Sequence, residues 1–241
     1  MRINLIKSLL TLLFVFTSTF INANEPIYYE VLYPESDEPA PAIIVLHTSG
    51  GLEKGTQRKA EDYVDEGFVV YMPDFFERHD ISKSNRFETW TTYREPIEKE
   101  LSQIVKIMKQ DKRINPNNVF ALGHSNGGYW AAYLAATNQV NAGASHYGVW
   151  QWYGSHNGYP ANYFNDNSNP VLALHGENDK VQKYHRVETE WNMARSKGAN
   201  LTTHTYSAGH SWDCKNCGRR DESVANDAFW KTVNFFNEHT K

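Results

Sequence analysis

The chain has 241 residues, of which 40% are hydrophobic and 22% are charged, and its formal net charge is −4. This composition is typical of a folded globular protein and excludes a disordered chain. The mildly acidic balance, without basic blocks, gives no reason to expect nucleic acid or an anionic membrane as a partner. The length favours one large domain over two small ones.

The first 23 residues are typical of a secretory signal peptide. Arg2 and Lys7 make a basic start, an apolar run covers residues 9–20, and we expect cleavage after Ala23. A membrane anchor is the alternative, but the run is shorter than the roughly 20 residues that span a bilayer. We therefore expect an exported protein, periplasmic or secreted, with one domain over residues 24–241 and no membrane contact after cleavage.

In chain order, the remaining sequence alternates between strand-like and helix-like segments. Short, mostly apolar runs predict strands at 27–33, 42–46, 68–72, 119–122, 142–146, 170–174 and 201–206. Helical character predicts helices at 54–66, 89–112, 129–136, 182–197 and 222–239. Proline and asparagine predict a turn at 115–118. This alternation predicts an α/β fold, with a mostly parallel central sheet and helices on both faces.

A Gly-x-Ser-x-Gly pentad, residues 123–127, follows one of these strands directly. An Ala-rich helical run comes after it, and in this context the pentad forms a nucleophile elbow. The serine of such an elbow sits on a strained turn, where side chains at Gly123 and Gly127 would collide with neighbouring backbone. We therefore predict that Ser125 is a nucleophile, the alternative being a chance pentad in a loop.

A serine hydroxyl needs a base to take its proton, and the base needs a third group to orient it. Functional residues of parallel sheets lie in loops after the carboxyl ends of strands. His210 follows the last strand and Asp179 follows the strand before it, in the chain order that an elbow serine requires. We predict His210 as the base and Asp179 as the acid, with His146 and Glu177 as their rivals.

Acyl transfer also needs hydrogen-bond donors for the oxyanion. The backbone N–H of Asn126, directly after the nucleophile, is one predicted donor. The other should come from the loop after the strand at 42–46. Ser49 is our choice for this second donor, and Thr48 is the alternative.

Aromatic residues are dense in the loop that begins at Tyr147, and Trp212 follows the predicted base by two positions. Aromatic walls suit apolar acyl groups, aromatic esters or stacked sugars. We predict that Tyr147, Trp150 and Trp212 line the substrate pocket. The alternative is that these rings only pack the loop over the sheet.

The two cysteines, Cys214 and Cys217, are expected to form a disulfide, because an exported chain meets an oxidising compartment. A zinc site would need two more ligands at matched spacing, and only His204 and His210 are nearby in the sequence. We hypothesise that the disulfide stiffens the loop that carries His210.

Together these segments resemble the dienelactone hydrolase-like group of the α/β-hydrolases. The matching pieces are His47-Thr-Ser-Gly-Gly51, Gly-His-Ser-Asn-Gly-Gly128, Ser-His-Tyr-Gly148, Leu-His-Gly-Glu-Asn-Asp179 and Ala-Gly-His210. The resemblance implies an α/β-hydrolase fold and an ester-hydrolysing enzyme without metal or organic cofactor. It also implies Ser125 as nucleophile, Asp179 as acid and His210 as base.

The chain departs from the dienelactone enzymes themselves, which use a Cys nucleophile and a Glu in the loop after the early strand. Here the nucleophile is Ser125, and His47-Thr-Ser49 supplies no such Glu. We therefore expect a general serine carboxylesterase acting on small-molecule or sugar-linked esters. The alternatives are a peptidase or acyltransferase on the same triad, and an inactive binding domain. The sequence carries no signature of an oligomeric state.

Overall fold

The computed structural model describes residues 27–36, 38–152 and 158–241. The predicted signal peptide and Tyr153 of the aromatic loop lie outside these ranges. Within them the chain forms one seven-stranded sheet and five α-helices. No helix of the described part is both long and apolar enough to cross a lipid bilayer.

The secondary structure alternates as predicted. The strands are β1 (Tyr29–Leu32), β2 (Ala40–Leu46), β3 (Val69–Pro73), β4 (Ile114–His124), β5 (Ala142–His146), β6 (Val171–Gly176) and β7 (Leu201–Tyr206). The α-helices are α1 (Lys54–Asp65), α2 (Arg94–Gln110), α3 (Asn126–Ala136), α4 (Tyr184–Ser196) and α5 (Glu222–Glu238).

The sheet has the strand order β1-β3-β2-β4-β5-β6-β7. Only β1 runs antiparallel to its neighbour, and every other pair is parallel. β4 lies at the centre, so the loop that follows it opens at the middle of the sheet's carboxyl edge. This is the α/β-hydrolase fold that the sequence predicted.

Two apolar cores cover the two faces of the sheet. Helices α2, α3 and α4 supply one core, and α1 and α5 supply the other. The side chains of β2 alternate between these two cores. Ile44 and Leu46 point into the first core, and Ile43 and Val45 point into the second. A central strand buried on both faces is therefore apolar throughout.

Two of the wrongly predicted boundaries bear on β4 and on the helix before it. The helix expected from residue 89 begins at Arg94, which places Pro96 in its first turn, where a missing N–H is tolerated. The turn expected at 115–118 lies inside β4 as an irregularity, because Ala40 pairs with Ile114 while Ala42 pairs with Val119. The three asparagines and the proline are thus accommodated without ending the strand.

Candidate active site

Ser125 occupies the sharp turn between β4 and α3. Its φ of 53° and ψ of −110° are unusual for a residue with a side chain. Hydrogen bonds hold the turn on both sides: the Ser125 N–H donates to the carbonyl of His146 at 3.0 Å, and its own carbonyl accepts from the N–H of Val149 at 3.0 Å. The strained geometry is thereby tied to β5 and to the loop after it.

The glycines of the pentad allow backbone segments to approach within contact distance. A Cβ at Gly123 would lie 1.9 Å from the carbonyl oxygen of Gly127, and one at Gly127 would lie 2.1 Å from the carbonyl oxygen of Leu46. No real Cβ tolerates such distances to backbone. Strand β4, the start of α3 and the end of β2 can therefore meet only if both positions are glycine.

His210 connects the serine to a carboxylate. Its Nε2 lies 3.0 Å from Ser125 Oγ, and its Nδ1 lies 2.7 Å from Asp179 Oδ2. With an ionised Asp179, Nδ1–H donates to the carboxylate and Nε2 accepts from the serine hydroxyl. The structure thus brings together the three residues that the sequence predicted as nucleophile, base and acid.

Asp179 is held rigidly at the end of β6. Its other oxygen, Oδ1, accepts from the backbone N–H groups of Val181 at 2.7 Å and Gln182 at 2.9 Å. Burial acts to raise the pKa of Asp179, but the hydrogen bonds and charge of its partners, His210 above all, outweigh burial and lower the pKa. The carboxylate is therefore ionised and available to the imidazole.

The rivals of these residues lie elsewhere. Glu177 is exposed and accepts a hydrogen bond from the hydroxyl of Thr205 at 2.8 Å. His146 is buried, with its Nε2 2.8 Å from the hydroxyl of Thr232. Burial lowers the pKa of His146 to about 4, so it is neutral at physiological pH.

The environment of the predicted oxyanion donors can be described directly. Among the described residues, the backbone N–H of Asn126 has no acceptor, whereas that of Gly127 donates to the carbonyl of His47 at 3.0 Å. The amide side chain of Asn126 lies 3.5 Å from Ser49 Oγ and 3.3 Å from Thr89 Oγ1. The loop after β2 therefore reaches the elbow, and the choice between Ser49 and Thr48 stays a prediction.

His47, the first residue of this loop, has a structural role that was not predicted from the sequence. It is fully buried, stacks on Phe75 with ring centroids 3.9 Å apart, and bonds through Nδ1 to the carbonyl of Thr48 at 2.8 Å. Burial lowers its pKa to about 4, so the ring is neutral and donates from Nδ1. A polar residue ending an apolar strand was the only signal of this role.

The aromatic residues predicted for the pocket are all buried. Trp150 packs between Phe164 and Trp191, at centroid distances of 6.3 and 6.2 Å. Tyr147 lies against the imidazole of His210 at 5.0 Å and against Trp212 at 4.7 Å. These contacts describe the packing of the three rings, and their role toward a substrate stays a prediction.

One group in the described part of the chain has donor atoms placed for a metal ion. His124, His146 and Asp213 offer ligand atoms within 4.8 Å of one another. The ammonium of Lys59 already lies 2.7 Å from Asp213 Oδ2. The arrangement therefore suits an ion pair within the protein better than a bound cation.

The cysteines form the predicted disulfide, Cys214–Cys217, directly after Asp213. The bridge lies in the segment that joins β7 to α5, four residues beyond His210. It closes a short loop just after Trp212, which packs against Tyr147 next to the imidazole of His210.

Comparisons with known proteins agree with the fold and identify the family. The family model of the dienelactone hydrolases matches residues 29–240. The chain belongs to the dienelactone hydrolase family. Among curated proteins, no sequence matches it.

Solved structures that resemble this dienelactone hydrolase family member share its fold at low sequence identity. A Klebsiella pneumoniae protein described as a dienelactone hydrolase is 20% identical, with a TM-score of 0.81, over 94% of this chain and 99% of that one. Esterase 2 of Thermogutta terrifontis, phosphoramylated by tabun, is 14% identical, with a TM-score of 0.73, over 93% and 94%. A dienelactone hydrolase-like promiscuous phosphotriesterase from metagenomic libraries is 16% identical, with a TM-score of 0.71, over 90% and 94%.

Proposed function

We propose that this family member is an exported serine esterase that cleaves carboxylic esters through an acyl-enzyme. The observation that carries the proposal is the hydrogen-bonded chain from Ser125 through His210 to Asp179, at distances of 3.0 and 2.7 Å. A binding domain would not require a strained serine that is hydrogen-bonded through an imidazole to a buried carboxylate. The hydrolase family and the esterases of the same fold support the same reaction class.

The proposed reaction has two steps. Ser125 Oγ attacks the ester carbonyl carbon, and its proton moves to Nε2 of His210. The tetrahedral intermediate collapses, the C–O bond to the alcohol breaks, and His210 returns the proton to the departing alcohol. Water then attacks the acyl carbon while His210 takes its proton. The bond between that carbon and Ser125 Oγ breaks, His210 returns the proton to Oγ, and the carboxylic acid leaves.

The other residues of the site support charge separation during these steps. Asp179 stabilises the imidazolium that forms when His210 takes the proton, because its carboxylate is ionised and fixed by backbone N–H groups. The backbone N–H of Asn126 and one from Ser49 bind the oxyanion. No cofactor or metal enters this proposal, because these residues supply nucleophile, base and oxyanion donors for ester hydrolysis.

The proposed substrates are small-molecule or sugar-linked esters, since the loop after β5 is rich in aromatic residues. The proposed location is the periplasm or the exterior of the cell, reached with the N-terminal 23 residues as signal peptide. The Cys214–Cys217 disulfide supports this location, because such bonds persist in oxidising compartments.

The test uses the mature protein and a panel of p-nitrophenyl esters and sugar acetates. We expect ester turnover and labelling of Ser125 by a fluorophosphonate probe, and we expect Ser125→Ala to lose both. Asp179→Asn and His210→Ala should each lower kcat by at least about 10³-fold. A folded wild-type protein that neither turns over any ester nor accepts the probe would refute the proposal. Amide substrates turned over faster than matched esters would favour the peptidase alternative.

A further inference from the structure

Asp213 lies three positions after His210 and connects four parts of the fold. Its Oδ2 is 2.7 Å from the ammonium of Lys59 on α1 and 3.4 Å from Nε2 of His124, the residue before the serine. Its Oδ1 accepts a hydrogen bond of 2.6 Å from the hydroxyl of Tyr147, just beyond β5. One carboxylate therefore ties the base-bearing loop to α1 and to the ends of β4 and β5.

Tyr147 links Asp213 to the imidazole of His210. Its φ of 37° is unusual for an aromatic residue, so its surroundings must hold the backbone in place. The N–H of Tyr147 donates to the carbonyl of Leu174 at 2.8 Å, and its hydroxyl is fixed by Asp213. Between these two anchors, the ring lies against His210 with an interplanar angle of 64°.

The loop on the other side of His210 is also constrained. Ser211 has a φ of 62°, and its carbonyl accepts from the N–H of Cys214 at 3.0 Å. The carbonyl of Trp212 accepts from the N–H of Asp221 at 2.7 Å. This tight turn carries Asp213 back toward Tyr147. His210 therefore precedes one strained residue, Ser211, in the chain and packs against another, Tyr147, whose hydroxyl is bonded to the Asp213 carboxylate.

The charges of the group are balanced within it. Burial acts to raise the pKa of Asp213, but the charge of Lys59 leads the effects that outweigh burial and hold the pKa far below its usual range. Burial, with the charge of Lys59 second, lowers the pKa of His124 well below its ordinary value. The group thus consists of one anion, one cation and a neutral imidazole, and it needs no external counter-ion.

We propose that Asp213, Lys59 and Tyr147 are positioning residues that fix the orientation of the His210 imidazole relative to Ser125. The inference rests on the proposed function, in which His210 moves a proton to and from that serine. The hydrogen bond to Asp179 fixes Nδ1, but it leaves the tilt of the ring about that bond to packing contacts. Tyr147 supplies such a contact, and Asp213 determines where the Tyr147 ring lies.

The competing explanation is a buried ion pair that only stabilises the fold. The two explanations differ in kcat: misplacing a reacting group by about 1 Å costs about a hundredfold in rate, whereas a lost structural contact leaves the folded enzyme's kcat unchanged. The critical comparison is therefore between two tyrosines that lose the same kind of hydrogen bond, one beside His210 and one far from it.

Tyr71 provides the matched control. It is also buried, and its hydroxyl donates to Asp111 at 2.7 Å, on the β1 and β3 side of the sheet. We expect Tyr147→Phe to lower kcat at least about tenfold, with KM for p-nitrophenyl acetate within about twofold of the wild-type value. Tyr71→Phe should leave kcat unchanged and should lower the melting temperature about as much as Tyr147→Phe does.

Asp213→Ala, which leaves no acceptor for the Tyr147 hydroxyl, and the double variant with Tyr147→Phe test whether the two residues act as a unit. Because both changes remove the same contact, the double variant should lose no more kcat than the worse single variant. Lys59→Met should lower kcat and Lys59→Arg should restore most of it, since the arginine keeps the charge that anchors Asp213. Independent, multiplying losses would overturn the inference.

Three results separate this inference from the function on which it rests. Equal kcat for Tyr147→Phe, Tyr71→Phe and wild type, with Ser125→Ala inactive, would overturn the positioning role and leave the esterase proposal intact. A rise in KM alone for Tyr147→Phe would make Tyr147 a pocket wall and would also overturn it. Full activity in Ser125→Ala would overturn the proposed function, and the inference with it.

Discussion

Because Gly127 lies in close contact with the backbone at the end of β2, Gly127→Ala is a decisive test of the elbow. The added Cβ would lie 2.1 Å from the carbonyl oxygen of Leu46 and 2.8 Å from that of His47. Both atoms belong to backbone, so no side-chain rotation relieves the overlap. Carbon–oxygen contacts need about 3.3 Å, and the start of α3 must therefore move away from β2 by about 1 Å.

This displacement should affect stability and rate together. Overpacking a tight contact typically costs about 1–3 kcal/mol of unfolding free energy. The moving segment carries Asn126, the predicted oxyanion donor, and it follows Ser125 directly. A misplacement of about 1 Å typically costs about a hundredfold in rate. We therefore expect both losses in Gly127→Ala, measured by urea denaturation and by kcat/KM on p-nitrophenyl acetate.

Gly55→Ala is the matched control for this substitution. A Cβ at Gly55, near the start of α1, meets no heavy atom within 4 Å. Alanine there should leave kcat/KM unchanged and raise the free energy of unfolding by up to about 1 kcal/mol, because it restricts the unfolded chain and favours the helix. The steric reasoning is refuted if Gly127→Ala matches the wild type in both measurements.

Three further predictions follow from the same site. The pKa of Asp179 in the folded protein lies below its ordinary value of 3.8. The stability that the ionised carboxylate contributes is therefore complete above pH 3.8 and is lost as the pH falls through the folded pKa. Acid titrations from about pH 5 to about pH 2, followed by circular dichroism, should show a smaller loss of stability for Asp179→Asn than for wild type. Replacing Cys214 and Cys217 by Ser should lower the unfolding free energy by about 2 kcal/mol in the chain-entropy model and should lower kcat, whereas no change in either would contradict a stiffening role. Trp150→Ala and Trp212→Ala should raise KM for bulky esters more than for acetates, and equal effects on both ester classes would argue against a pocket role.

The parts of this molecule that were predictable share one property: their signal is local in the sequence. A strand, a glycine-flanked serine and an Ala-rich helix are consecutive, so Ser125 could be predicted from a single segment. His210 and Asp179 could be predicted because each follows a strand of a parallel sheet, and the carboxyl ends of such strands meet at one edge. That His210 lies at hydrogen-bond distance from both Ser125 and Asp179 needed the structure.

Boundaries were less predictable because they depend on where backbone hydrogen bonds go. Gln182 was expected to begin α4, but its N–H donates to Asp179 and its carbonyl accepts from His175 at 2.8 Å. The helix therefore begins at Tyr184, beyond the residue whose N–H and carbonyl are bonded to Asp179 and His175. A helix boundary predicted from residue propensities cannot take such hydrogen bonds to residues outside the helix into account.

The group around Asp213 shows why the environment of a site is harder to predict than its reacting atoms. Lys59 and Asp213 are of common residue types, lie far apart in the sequence and match no motif, and Tyr147 was predicted only as a pocket residue. Sequence alone would assign Lys59 and Asp213 to solvent, since charged side chains are rarely buried unless they are paired. Their pairing follows from α1, β5 and the loop after β7 meeting on one face of the sheet. If the group positions His210 as proposed, the rate will depend on residues that no pentad or triad search would select, and the comparison of Tyr147→Phe with Tyr71→Phe measures that dependence directly.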